Sequence, residues 1–128
     1  MAYHFSKLVA LPMDKAIDHV TAALAAKGFG VLTTIDIAAT LKKKLDVDFR
    51  PYVILGACNP GFAYKALQQE RHIGTMLPCN VILQQADKGH IEVSAVDPIA
   101  SMQGVGNPAL ASIAGEVQDM LKQVIEGL

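Results

Sequence analysis

Apolar and polar positions mix through Tyr3, Phe5, Leu8 and Val9, and this pattern predicts a strand over residues 2–10. From Pro12 the period lengthens. Ile17, Val20, Ala23, Leu24 and Lys27 recur at helical spacing, Asp14 lies in the first turn, and Gly28 stands where such a helix closes. Phe29 to Ile35, rich in Val and Thr, returns to strand character. Asp36 suits the cap of a short helix in which Ile37, Leu41 and Leu45 share a face, so Lys42, Lys43 and Lys44 turn mostly to solvent. Residues 48–58 read as a third strand, apolar on both faces toward its end, as a fully buried central strand would be.

Asn59-Pro60 then caps and opens a helix with Phe62, Ala66 and Leu67 on its buried side. Residues 79–86 and 90–97 form two more strands joined by the short loop Asp87-Lys88-Gly89. Asp97-Pro98 and Asn107-Pro108 repeat the cap-then-proline start. The second opens the longest helix, striped by Leu110, Ile113, Ala114, Val117, Leu121, Val124 and Leu128. Two architectures fit this order. In an α/β fold the helices are right-handed crossovers between parallel strands. In an α+β fold the sheet is mainly antiparallel and the last helix packs across it. The linker Ile73 to Leu77 is long enough to return the chain to the top of the sheet, which favours α+β.

A chain of 128 residues is the size of one domain, here residues 1–128. Its apolar fraction of 52% against 18% charged residues leaves apolar surface beyond a monomer core, so a homodimer is expected. Met76, Leu77, Ile99 and Met102 fall in or beside loops and are expected to anchor that interface near the cysteines. The net charge of -1 argues against nucleic acid as a partner. No apolar run reaches the roughly 20 residues that cross a membrane. No basic stretch followed by an apolar one opens the chain, so a cytoplasmic protein with reduced thiols is expected.

Both cysteines occur in Cys-Asn dipeptides, Cys58-Asn59 and Cys79-Asn80, 21 residues apart. If the strands that carry them are antiparallel neighbours, two thiols and two carboxamides meet at one end of the sheet. If those strands are parallel, the thiols lie at opposite ends. Cys58 precedes a helix start, where backbone N–H groups and the helix dipole favour a thiolate. The plainer alternative is that both are small buried hydrophobes. Asn59 is accounted for as a cap. Asn80 has no helix after it, so its carboxamide either satisfies backbone or holds a ligand.

Two thiolates suit Cu(I) or Zn, and His72 is the best third ligand, although a closed zinc site needs four. His4, His19 and His90 read as surface or strand positions. No Cys–His pairing can be read from the chain, so catalysis has little support. Gly28-Phe29-Gly30 runs from helix into strand, the reverse of a dinucleotide fingerprint. Gly104-Val105-Gly106 lacks the lysine of a phosphate loop and reads as a connector.

Four segments carry a resemblance: Gly28-Phe29-Gly30-Val31-Leu32, Ile54-Leu55-Gly56-Ala57-Cys58-Asn59-Pro60, Leu77-Pro78-Cys79-Asn80-Val81 and Val96-Asp97-Pro98. Together they resemble the prokaryotic family catalogued as domain of unknown function 302, from about residue 3 to residue 127. The resemblance implies an α+β domain whose curved, mainly antiparallel five-stranded sheet grips its C-terminal helix. It groups with the TATA-box-binding-protein-like folds, and its solved relatives are dimers. It implies no activity. The expectation is a non-enzymatic homodimer that binds a small molecule or a soft metal ion at Cys58, Asn59, Cys79 and Asn80. Thiol redox or sulfur carriage by Cys58 and Cys79, and purely structural cysteines, are the alternatives.

Overall fold

Five strands and five helices follow one another in the computed structural model, which describes residues 2–128. The order is β1 (His4–Val9), α1 (Met13–Ala25), β2 (Gly30–Asp36), α2 (Ile37–Leu45), β3 (Tyr52–Cys58), α3 (Pro60–Gln69), β4 (Cys79–Asp87), β5 (His90–Val96), α4 (Pro98–Met102) and α5 (Ala109–Glu126). Short 3₁₀ turns at Ile73–Met76 and Gln103–Val105 complete it. The strands form one sheet in the order β1-β5-β4-β3-β2, and every neighbouring pair is antiparallel. The fold is therefore α+β, and the crossover alternative is removed.

Strand alternation decides what is buried. Val9, Val53, Leu55, Ala57, Val81, Leu83, Ile91, Val93 and Ala95 are all buried, and the register puts them on one face of the sheet. Onto that face pack Val20 and Leu24 of α1 and Val117, Leu121 and Val124 of α5. A smaller cluster of Ala66, Ile73 and Leu110 joins α3 to α5, with Leu77 and Met102 packed against it.

The opposite face holds none of this core. Leu8 and Ile35 are exposed there, while Ile54 and Ile82 are half-buried. This corrects the expectation of a strand buried on both sides at 48–58. β3 lies inside the sheet and its Val53, Leu55 and Ala57 side is sealed, while on the other side Gly56 alone is buried. It also begins later than expected, at Tyr52. Asp46 adopts a left-handed backbone at φ 53°, and Pro51 has no N–H to give a ladder.

The helix signals act as read. Asp36 accepts from the Ala39 N–H at 2.9 Å and caps α2. Lys42 to Lys44 are exposed, and Lys42 pairs with Asp46 at 3.0 Å. Gly28 takes φ +83° as the chain leaves α1. Two helix faces are rotated from expectation. Leu67 is 45% exposed because α3 buries only its Ala66 side, and Ile125 takes the buried place next to Val124 in α5. Asp97 caps the short α4 at the expected cap-then-proline start, accepting from the Ile99 N–H at 3.0 Å and from Gln118 Nε2 at 3.1 Å. Among the described residues, no helix is long and apolar enough to cross a membrane.

Candidate functional site

The β3–β4 register sets Ala57 opposite Cys79, so Cys58 lies one residue beyond that pair. Both thiols thus sit at the same end of the sheet, and both are free. Residues Cys58 and Cys79 both line a cavity of about 30 Å³ where α3 and α5 meet the sheet, walled by Phe29, Phe62, Leu77 and Val117. A cavity of this size has room for a water or two, or for a small ion.

Asn59 sits at the cavity's rim as the cap of α3, its Oδ1 accepting from the Phe62 N–H at 3.3 Å. Its carboxamide also lies over the turn that ends α1. A Cβ placed on Gly28 would come within 3.1 Å of Asn59 Nδ2. The bare Gly28 therefore does two things, taking the left-handed backbone and leaving room for the cap.

The two thiols differ. Cys58 is half-buried, whereas Cys79 is buried on the core face. Burial, and then the neighbouring Cys58, push the Cys79 thiol up from 9.0 to about 11. At pH 7 only about one Cys79 in ten thousand is then a thiolate. Desolvation is the larger cause and fits the apolar walls.

Two of the expected site residues lie elsewhere. Asn80 follows Cys79 within β4, so its side chain points to the opposite face, where it is exposed beside Tyr52 and Ile82. Of the two Cys-Asn dipeptides, Cys58, Asn59 and Cys79 border the cavity and Asn80 does not. His72 is exposed at the turn after α3, its Nδ1 3.5 Å from Glu70 Oε2 and its backbone N–H donating to the same carboxylate. Glu70 holds it outward. Among the described residues no three His, Cys, Asp or Glu side chains are grouped as a metal ion would need.

Two residues that sequence reading assigned to a dimer interface, Leu77 and Met102, join the cavity instead. Met102, a thioether residue at the end of α4, lines the same space as the cysteines. Nothing local in the sequence signals this, because α4 arrives from a part of the chain remote from both strands.

Residues 5–128 match the family described as "Domain of unknown function DUF302". The chain is also similar to the crystal structure of an uncharacterized conserved protein DUF302 from Bacillus stearothermophilus. The two share 28% sequence identity over 98% of each chain, with a TM-score of 0.90. No curated protein matches. The matching span takes in all but the first residue of β1 and every later element through α5, including both cysteines, and the chain belongs to the DUF302 family.

Proposed function

We propose that the protein is a non-enzymatic binding domain that holds one soft metal ion, Cu(I), between the thiolates of Cys58 and Cys79. The carrying observation is that Cys58 and Cys79 border one small apolar cavity, near enough for Cys58 to help raise the Cys79 thiol. The chemistry agrees. Both causes that raise the Cys79 thiol, burial and the nearby Cys58, are relieved when a cation is bound between the sulfurs. The Met102 thioether supplies a third soft donor to the same space.

Anaerobic titration of the reduced protein with Cu(I), against a chromophoric chelator, tests this. One equivalent should resist the chelator and give near-ultraviolet thiolate charge-transfer absorption, with proton release as the Cys79 thiol ionises. C58S and C79S should each abolish binding and M102L should weaken it. Loss of the whole equivalent to the chelator in the wild type overturns the proposal.

A second reading rests on the thiols' position across one strand pair. Cys58 and Cys79 would form a reversible disulfide, two electrons and two protons passing to a disulfide such as oxidised glutathione. In the titration this protein would yield no copper complex, yet would lose both thiols to mild oxidant and regain them with dithiothreitol. Two reduced thiols also fit a reducing compartment, and we place the protein in the cytoplasm.

For assembly we propose a homodimer. Of the loop residues expected to need a partner, Leu77 and Met102 are covered within the chain. Met76 at 41% and Ile99 at 39% exposure are not, and they mark the interface. Light scattering should give twice the 13.6 kDa chain mass, and M76D with I99D should lower it. A monomer in the wild type ends this reading.

A further inference from the structure

The face of the sheet without helices carries an ordered polar arrangement that the thiol site does not use. Ser94, in the middle of β5, is only 5% exposed although no core residue lies on its side of the sheet. Its hydroxyl meets Ser6 Oγ at 2.7 Å, and Ser6 Oγ in turn meets His4 Nδ1 at 2.7 Å. A second chain lies further along the strands. Arg50 Nε donates to Gln84 Oε1 at 3.0 Å, and Gln84 Nε2 donates to Glu92 Oε1 at 3.3 Å. Arg50 is itself held over the rings of Phe49 and Tyr52, at 4.5 and 5.6 Å.

These two chains border one depression of about 390 Å³, within the size range of small-molecule sites. Its lining mixes Ile82 and Val96 with the rings of Tyr3 and Tyr52 and with polar side chains. Asn80 is exposed at its edge. This is the carboxamide that neither a helix cap nor the cysteine cavity accounts for. Glu92 gives the lining its one fixed formal charge, which is negative, and the nearby Arg50 guanidinium is already engaged.

We propose that this depression is a second binding site, for a flat, uncharged or cationic heteroaromatic molecule of the nucleobase or nucleoside class. A flat sheet face that exposes part of Ile82 accepts a planar ring, and the tyrosine rings in the lining add stacking surface. The Asn80 carboxamide offers an adjacent donor and acceptor, the pair that reads the edge of an adenine-type ring. Side chains held by hydrogen bonds before the ligand arrives lose little freedom on binding. The single negative charge disfavours phosphorylated versions of the same ring.

The test is titration of the full chain with adenosine, followed by backbone and side-chain amide NMR, with adenosine monophosphate as the second arm. Adenosine should shift Asn80, Ile82, Ser94 and Val96 in a saturable way. N80A, an exposed substitution that leaves the core intact, should weaken binding at least fivefold, and S94A should weaken it as well. The monophosphate should bind less tightly than adenosine. No saturable shift at millimolar adenosine overturns the proposal, as does equal affinity in N80A and wild type or tighter binding of the monophosphate. Shifts at the same residues that follow protein concentration instead of ligand would give the face to a second copy of the chain, and would also overturn it.

Discussion

Gly56→Val is expected to cost about 3 kcal/mol of folding stability, the upper end of ordinary overpacking. Gly56 lies in β3 between Thr33 of β2 and Asn80 of β4. A Cβ there would run into Thr33 Oγ1 and come within 2.8 Å of Pro78 Cγ. The threonine can rotate away, but a proline ring cannot. Alanine at the same position should cost about half as much, and adding T33A should recover only part of it, because one of the two obstacles remains. Gly30 is the control. A Cβ there meets nothing within 4 Å, so G30A should stay within about 0.5 kcal/mol. Urea denaturation of the four variants measures all of this. If G56V proves as stable as wild type, the close approach of β2, β3 and Pro78 is wrong.

The second large effect is a loss of stability in alkali that disappears when Cys79 is removed. The folded thiol titrates at about 11 against 9.0 for the unperturbed group. Between those values the unfolded chain has released its proton and the folded chain has kept it. Stability therefore falls as pH rises through this window and is undiminished below pH 9. Two pH units correspond to about 2–3 kcal/mol. Lysines and tyrosines also titrate there, so the quantity to read is the difference between wild type and C79A in denaturation midpoints across pH 8 to 12. That difference should change by about 2 kcal/mol over the range. A constant difference would mean that Cys79 is not held in an apolar site.

Much of this was legible in the sequence, for reasons that differ by residue. Asn59-Pro60 and Asp97-Pro98 announce helix starts through local chemistry, since a side-chain acceptor followed by a proline serves the first helical N–H groups wherever it occurs. The antiparallel pairing of Cys58's strand with Cys79's was within reach because the linker Ile73 to Leu77 after α3 is long enough to return the chain to the end of the sheet it had left. Asn80 was legible too and was misread. Its adjacency to Cys79 suggested a shared site, yet adjacency within a strand requires opposite faces. His72 failed for a different reason. Its place in the chain is close to both cysteines, but its direction is set by Glu70, and no sequence spacing reports a rotamer. The chain His4–Ser6–Ser94 was out of reach altogether. Its members come from strands at opposite ends of the chain, and only the β1–β5 register aligns Ser6 with Ser94.

That same register has a consequence for how the chain is made. β2, β3 and β4 pair in sequence order, so each can dock on its predecessor soon after synthesis. β1 cannot. Its partners run from Ile91 to Val96, and the helix that covers them both, α5, is the last element of all. From the ribosome's side, the first strand produced waits for nearly the whole chain before it has a neighbour. Phe5 and Val9 stay uncovered in the meantime, and the long-range closure that buries them is the slow kind. A nascent chain arrested before residue 90 would hold a three-stranded meander with β4 as a bare edge, open to another such chain.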